Sequence, residues 1–373
     1  MICGEHAGSL SGTGPAGQTP PHRRMRVLVD ICHPAHVHFF RNITGLLQDR
    51  GHDILITSRQ KEIALDLLDE LKLEHRVLSA EGGGLLGLGQ ELLVRNRALM
   101  RIVREFRPAV MAAVGGIFVA QVGAVTRVPT VVFYDTENAR LQNLLTYPFA
   151  GRVVAPRCYR AWLPRRNIRY DGYHELAYLH PSLFTPDRQV ALANGLAPEG
   201  ETYFLRVVAW QANHDVGERG WSPSLLADVV SYLADYGRVL ISAEGPLPEM
   251  LEAYRYRGSP KAVHDVMAHC RLFIGESATM ASESAVLGVP AIYAAHTGRG
   301  YTDEQEARYG LVRNVRRLEE RAALAQAIDA ILSEPFSVWA ERRRRLLDDT
   351  IEVAPFAARC IEDHASSRER EAC

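Results

Sequence analysis

Three stretches of this chain hold residue types that can do chemistry at a workable spacing. The first runs Phe273-Ile-Gly-Glu-Ser-Ala-Thr-Met-Ala-Ser-Glu-Ser-Ala-Val-Leu-Gly-Val-Pro290. It reads as a buried strand, a small-residue turn from Gly275 to Thr279, a helix, and a Gly-x-Pro stop. Small residues let a backbone approach a ligand closely. A helix N-terminus offers unpaired N–H groups and the positive end of a dipole, a seat for phosphate. Ser277, Ala278 and Thr279 are therefore candidate phosphate contacts. Glu283, four residues past Thr279, shares its helical face and can accept two hydrogen bonds from a ribose diol. A capping turn followed by a surface Glu is the other reading. The pattern is not G-x-G-x-x-G, which argues against a nicotinamide cofactor.

The second stretch is His33-Pro-Ala-His-Val-His38, directly after the first strand-like run. Its spacing suits a loop better than the i, i+4 pair of a helical zinc site, and no carboxylate lies nearby to complete a metal shell. Two readings stay open: histidines that pack and cap a helix start, or a catalytic or phosphate-contacting histidine. Position favours the second, because strand-to-helix loops line the ligand crevice of such sheets. The third stretch, Tyr134-Asp-Thr-Glu-Asn-Ala139, follows the strand-like Thr130–Phe133. Asp135, Glu137 and Asn138 can bind a polyol or take a proton, or Asp135 can simply cap a helix. Val114-Gly115-Gly116 ends the preceding strand and faces the same crevice. Arg206 and His214-Asp215 flank the first strand of the second half; Arg206 can neutralise a diphosphate or make a structural ion pair. No D-x-D motif is present.

The elements that position these residues alternate. Val27–Asp30, Ile54–Thr57, Arg76–Leu78, Val110–Val114 and Thr130–Phe133 read as strands. Amphipathic segments at Phe39–Arg50, Glu62–Leu71, Glu91–Phe106 and Phe118–Thr126 read as helices between them. Residues 140–200 are less regular and rich in Arg, Tyr and Pro. A second series follows, with strands at Tyr203–Val208, Val239–Ser242, Leu272–Ile274 and Ala291–Tyr293. Its helices are Ser222–Asp235, Glu249–Arg255, His264–Cys270, Met280–Leu287 and Leu318–Leu332. Strand–helix alternation implies parallel sheets covered on both faces. The expected class is thus α/β, two doubly wound halves with a boundary near 185–200 and a cleft at the carboxyl ends of their strands.

Composition narrows the function classes. The 373 residues are 47% hydrophobic and 23% charged, ordinary for a globular chain of two domains. The formal net charge of −1 argues against general nucleic-acid binding. Apolar runs fall short of the roughly 18–20 residues of a spanning helix. The six cysteines (Cys3, Cys32, Cys158, Cys270, Cys360, Cys373) form no C-x-x-C pair, which points to a reducing, cytoplasmic setting. Arg342–Arg345 reads as a solvated helical face. Arg165, Arg166 and Arg169 can attract anionic lipid, a peripheral membrane contact. Residues 1–24 lack apolar periodicity and read as a disordered tail, with Met25 the true start. The end from about Asp363 reads as frayed.

Together the three stretches resemble glycosyltransferases of the GT-B fold and the related UDP-GlcNAc 2-epimerases. The closest resemblance is to the uncharacterised bacterial and archaeal family catalogued as domain of unknown function 354, over about residues 26–340. His36 and the Arg50-Gly51-His52 helix end look like the loop histidine and R-G-H of the peptidoglycan GlcNAc transferase. Cys32, His33, Pro34 and Ala35 stand where that loop has glycines. Val114-Gly115-Gly116, with Asn138 and Ala139, resembles its acceptor-side segment. Ser277, Ala278 and Thr279 occupy the place of the epimerases' S-G-G around the diphosphate, and Glu283 that of the ribose-binding Glu.

The resemblance implies an acceptor-side domain over 25–190, to which His33 also belongs, and a nucleotide-sugar donor domain over 191–362. It implies metal-independent transfer of a sugar from a nucleoside-diphosphate donor of UDP type to a saccharide or lipid-linked acceptor, as in cell-envelope polysaccharide synthesis. No cofactor beyond the donor is expected. His36 is the first candidate base, with Glu137 and Asp135 as rivals; Ser277–Thr279 and Arg206 stabilise the leaving diphosphate. A nucleotide-sugar epimerase and a non-catalytic nucleotide-sugar or polysaccharide binder are the alternatives.

Removal of residues 1–24 is expected to shift the melting temperature by less than about 2 °C, because a segment with so few apolar side chains to bury cannot offset its own ordering entropy. A larger drop in a thermal scan of the truncated chain would show that the tail packs.

Overall fold

The computed structural model describes residues 24–60, 62–80, 84–208, 220–318 and 321–372. The expected tail, apart from Arg24, lies outside them, as do His214, Asp215, Cys3 and Cys373.

The first half is built on β1 (Arg26–Ile31), α1 (Pro34–Asp49), β2 (Asp53–Gln60), α2 (Glu62–Glu70), β3 (His75–Ala80), α3 (Gly84–Phe106), β4 (Val110–Val114), α4 (Ile117–Thr126) and β5 (Thr130–Phe133). β1, β4 and β5 are apolar almost throughout and buried, as strands covered on both faces must be. The histidine stretch is not the loop its spacing suggests. His33 is the N-cap of α1, its Nδ1 accepting the Ala35 amide at 3.2 Å, and Pro34 opens the first turn. A capping side chain and a proline with φ preset for the helix start it before the apolar stripe begins.

The segment that reads as irregular supplies α5 (Arg140–Thr146), β6 (Arg152–Pro156), β7 (Asn167–Tyr170), α6 (Leu176–Leu179) and α7 (Arg188–Ala193). β7 is a four-residue edge strand with only Tyr170 buried, so it carries no apolar run to betray it. All seven strands form one parallel sheet in the order β3-β2-β1-β4-β5-β6-β7.

The second half comprises β8 (Glu201–Val207), α8 (Pro223–Ala234), β9 (Gly237–Ala243), α9 (Val263–Ala268), β10 (Leu272–Gly275), α10 (Ala278–Leu287), β11 (Ala291–Ala294), α11 (Gly300–Glu304), β12 (Val312–Val315), α12 (Arg321–Leu332) and α13 (Phe336–Asp348). The expected helix at Glu249–Arg255 is a short 3-10 turn, Glu249–Tyr254. The second sheet is parallel, in the order β12-β11-β10-β8-β9. Gly275 has to be glycine: a Cβ there would strike the Arg206 carbonyl of the neighbouring strand.

The chain does not end in a fraying segment at Asp363. The last helix, α14 (Val353–Ala372), returns to the first half and packs on α1, β4 and β5. Ala354, Ala357, Ala358, Ile361 and Ala365 form its buried stripe. Glu362 accepts hydrogen bonds from Arg50 Nη1 (2.7 Å) and meets His52 Nε2 (2.9 Å). A boundary at residue 362 therefore cuts a helix that belongs with the first sheet. Its small apolar residues are spaced at i, i+3, i+4 and i+7, but charged neighbours mask them.

The carboxyl end of β1, which carries the histidines, is anchored by a buried ion pair. Asp30 accepts from Arg95 Nη2 of α3 (2.7 Å) and the Thr57 hydroxyl of β2 (2.6 Å), and the Arg95 guanidinium lies over the Phe118 ring of α4. Both charges are fully buried. Asp30→Ala strands the guanidinium without a counter-charge, and the expected loss is about 3–5 kcal/mol in denaturant unfolding. An unchanged midpoint would mean that Arg95 finds another partner.

Candidate functional site

Each sheet reverses its strand order at one place: between β1 and β4 in the first, and between β8 and β10 in the second. Ligands of doubly wound sheets bind outside the strand ends at such a switch point. Here the two switch points face each other. One cavity, of about 240 Å³, is lined by His33, His36, Val114, Asp135, His174, Glu175 and Tyr178, and by Thr279 from the second half. A neighbouring cavity of about 230 Å³ is lined by Glu276, Ala278, Thr279, Tyr293, His296, Arg299 and Tyr301, and by Thr136 from the first. Thr136 and Thr279 border both, so the two form one cleft.

The second half contributes groups suited to an anion. Ser277 is the N-cap of α10, its hydroxyl accepting the Met280 amide at 3.2 Å. Among the described residues no protein acceptor meets the Ala278 or Thr279 amide, and both residues line the cavity. Arg299 donates to the Thr297 hydroxyl (3.2 Å) and the Gly298 carbonyl (3.1 Å) and has no carboxylate partner among the described residues. Arg206 does not share this task. Its guanidinium turns to Ser242 (2.8 Å) and Glu244, away from the cleft lining.

Glu283 departs most from expectation. It lies on the face shared with Thr279, but it is buried rather than open to the cleft. The Tyr178 hydroxyl donates to its Oε1 at 2.7 Å, and His264 Nε2 sits 3.0 Å from the same oxygen. α6 and α9 close over it, so a ribose contact is not available in this arrangement.

The first half contributes titratable groups. Asp135 meets His174 Nδ1 at 3.3 Å and accepts the Thr136 hydroxyl at 2.9 Å. Burial pushes its carboxyl up, but His174, Thr136 and His36 outweigh this and hold it at about 2. The adjacent Glu175 is buried and carries the opposite shift. Desolvation first, and then the Asp135 charge, push it up to about 8, against a hydrogen bond from Ser282. One cavity thus holds an ionised carboxylate and a protonated carboxylic acid, the arrangement that divides acid from base roles. His174 Nε2 is buried without a hydrogen-bond partner among the described residues. His174 and Glu175 come from the segment that reads as irregular, and neither belongs to a motif.

The three histidines divide. His36 Nδ1 accepts the Cys32 amide at 3.4 Å, which puts the proton of the neutral ring on Nε2 and makes that nitrogen a donor. His33 is occupied by its cap. His38 stacks on Tyr178 and meets the His264 ring edge-on, and burial holds it neutral, with its pKa well below the usual value. Among the described residues no group of three or more His, Cys, Asp or Glu is placed to hold a metal ion. The two carboxylates of the third stretch also part. Glu137 accepts the Gly300 amide (3.2 Å) and the Arg160 amide (3.3 Å), clasping α11 to the first half. With Asn138 it lines a separate, larger groove rather than the His36 cavity. Gly115 and Gly116 both have positive φ (+72° and +64°) and shape the turn after β4, while Val114 lines the cavity.

Glu175 binds its proton more tightly folded than unfolded, since its value rises from 4.5 to about 8. Its stabilising contribution is complete below the unfolded value and is lost as pH climbs through the folded one. Stability therefore falls over that interval, by up to about 1.4 kcal/mol per pH unit. Glu175→Gln is expected to flatten this slope in denaturation midpoints taken between about pH 5 and pH 9. The same slope in the variant would assign the proton to another group.

The sequence model of the family described as "Protein of unknown function (DUF354)" matches residues 25–299. An uncharacterized protein of Methanocaldococcus jannaschii is 22% identical over 279 residues, 71% of this chain and 80% of the relative. Among solved structures, UDP-GlcNAc 2-epimerase from Neisseria meningitidis bound to UDP-GlcNAc aligns with a TM-score of 0.63 at 12% identity, covering 93% of this chain and 99% of the epimerase. The glycotransferase of kitacinnamycin aligns with a TM-score of 0.62 at 13% identity, covering 92% of this chain and 100% of the other. At these identities the likeness is one of fold: two doubly wound Rossmann-like domains facing a cleft, the GT-B-like architecture.

Proposed function

The chain belongs to the DUF354 family, and we propose that it is a glycosyltransferase-like enzyme that moves a sugar from a nucleoside-diphosphate-sugar to an acceptor. One observation carries this reading. The open N-terminus of α10 and Arg299 line one cavity, Asp135, His174, Glu175 and His36 line the next, and Thr136 and Thr279 border both. The Ala278 and Thr279 amides and the Arg299 guanidinium suit a diphosphate, and they stabilise the charge that grows on it as the bond to the sugar breaks. Arg299 takes the part that Arg206 held in the sequence reading.

On the other side, the acceptor hydroxyl has to lose a proton as its oxygen attacks the anomeric carbon. An Asp–His pair suits that task. Asp135 orients His174 through Nδ1 and stabilises the imidazolium that forms, leaving Nε2 to take the proton. His36 Nε2–H donates to the sugar or diphosphate. The acceptor is a saccharide or lipid-linked saccharide of the cell-envelope kind, held on the first half beside Glu137 and Asn138. A cytoplasmic site for this chemistry agrees with the free thiols of Cys32, Cys158, Cys270 and Cys360.

Epimerisation of the nucleotide sugar is the second reading. It is favoured by the Asp135–Glu175 pair, because inverting a sugar carbon needs one group to remove a proton and another to return it.

The test is incubation of the purified protein with UDP-sugars, followed by chromatography. Release of UDP that depends on acceptor supports transfer, a new sugar isomer without acceptor supports epimerisation, and binding without turnover supports neither. Arg299→Ala is expected to weaken donor binding by about 1.5–3 kcal/mol in calorimetry. His174→Ala is expected to lower turnover by about 10²–10⁴-fold while donor affinity holds. Full turnover in His174→Ala, with loss in Glu137→Gln or His36→Ala, would move the base to that residue.

A further inference from the structure

The first half carries a face that neither sheet packing nor the cleft explains. α5 and the β6–β7 connection project Leu141, Leu144 and Trp162 into solvent, with Leu144 69% and Trp162 72% exposed. A groove of about 990 Å³ runs between Leu144 and Trp162, walled also by Tyr147, Pro148, Ala161 and Pro164. This exposure is not loose packing. Beneath the groove the Tyr147 and Tyr159 hydroxyls share a hydrogen bond of 2.7 Å, and Asn143 donates to Tyr159 at 3.2 Å. Exposed aromatic and aliphatic side chains clustered in this way mark an interaction surface.

Arginines outnumber carboxylates around the groove, although Arg160 on its wall is paired with Asp303 at 2.7 Å. Arg140 and Arg165 have no carboxylate partner among the described residues. Arg166 donates only to the Tyr147 and Pro148 carbonyls, and Arg169 only to those of Arg157 and Tyr159. The one carboxylate lining the groove, Glu137, is occupied by backbone amides. The chain as a whole has a net charge of −1, so this local excess is segregation rather than composition.

We propose that this face docks on an anionic lipid bilayer. Leu144 and Trp162, with Leu141 one turn before Leu144, would enter the boundary between headgroups and acyl chains, with the indole at the level where tryptophan settles. The arginines meet lipid phosphates, each adding attraction near a negatively charged leaflet. A second copy of the chain is a poorer occupant, because a two-fold interface would set these arginines against one another. No helix among the described residues is long and apolar enough to cross a membrane, so the contact is peripheral. Glu137 and Asn138 lie at one end of the groove, just past Asp135 and Thr136 of the cleft. A lipid-held acceptor docked here would thus be near the reacting groups. That last link rests on the transfer reading, but the docking does not.

The experiment is co-sedimentation of the full chain with phosphatidylcholine vesicles and with vesicles that also contain phosphatidylglycerol, without nucleotide. Binding is expected only to the anionic vesicles and is expected to weaken with added salt. Arg140→Glu/Arg165→Glu is expected to lower partitioning by about thirtyfold or more. Leu144→Ser/Trp162→Ser should abolish it, and neither pair should move the melting temperature, since all four side chains are exposed. Brominated lipid should quench the wild-type fluorescence more than that of Trp162→Phe. Equal binding to both vesicle types, no binding, or wild-type binding by both double variants would overturn the proposal. So would a concentration-dependent dimer that Leu144→Ser/Trp162→Ser dissolves while vesicles are ignored.

Discussion

A buried carboxylate ties the two halves of this molecule behind the cleft, alongside the Glu137 clasp on α11 and the bonds from Tyr173 and Arg157 to Glu304. Glu283, on α10 of the second half, accepts the hydroxyl of Tyr178 on α6, with His264 of α9 against the same oxygen. α6 is tied in turn to α1, since Arg41 donates to the Tyr178 carbonyl and Asn42 to that of Ala177, each at 3.0 Å. Hydrogen bonds to a charged group in a dry interior are strong, and costly to leave unmade. Tyr178 lies one helical turn after His174 and Glu175, and Glu283 one turn after Thr279. Locking one pair therefore sets the register of the other. That lock brings Glu175 to Ser282, His174 to Asp135, and the amide end of α10 to the cleft.

The electrostatics of the cleft follow from the same closeness. Desolvation first, and the Asp135 charge second, disfavour ionisation of Glu175. His174 and Thr136 settle the charge on Asp135, and Glu175 keeps its proton. The second half faces them with main-chain N–H groups and the Arg299 guanidinium. On the proposed reading, an anionic ligand is drawn to one wall and proton traffic is confined to the other. Fold alone would not license this reading, because GT-B-like sheets serve several chemistries. What distinguishes this protein is the particular set of side chains at the two switch points.

Much of this was legible in the sequence, wherever the signal is local. Most strands of both halves read as apolar runs, because a parallel strand is buried on both faces, whereas β6, β7 and β12 are absent from the sequence reading. Ser277 as a cap, the small-residue turn before α10 and the Gly288-Val-Pro290 stop are set by backbone geometry within one or two turns. The grouping of Asp135 with His36 followed from strand order, since both lie past strands on either side of a switch point.

Tertiary structure alone decided the rest, because the forces concerned act between residues distant in sequence. Helical spacing put Glu283 on the face of Thr279, but α6, more than a hundred residues earlier, turned that carboxylate from a ligand contact into a buried tie between the two halves. Spacing placed Asp135 and Glu137 together, and Gly300 of α11 drew Glu137 away. His174 and Glu175 sit in a segment without periodicity; only burial in the folded chain gives Glu175 a proton worth holding, and only the fold brings His174 to Asp135. α14 hid its small apolar stripe among charges until α1 and the first sheet supplied the surface it packs on. A sequence records which faces a segment can offer; desolvation and pairing energy depend on what meets them, and that is fixed only when the chain closes on itself.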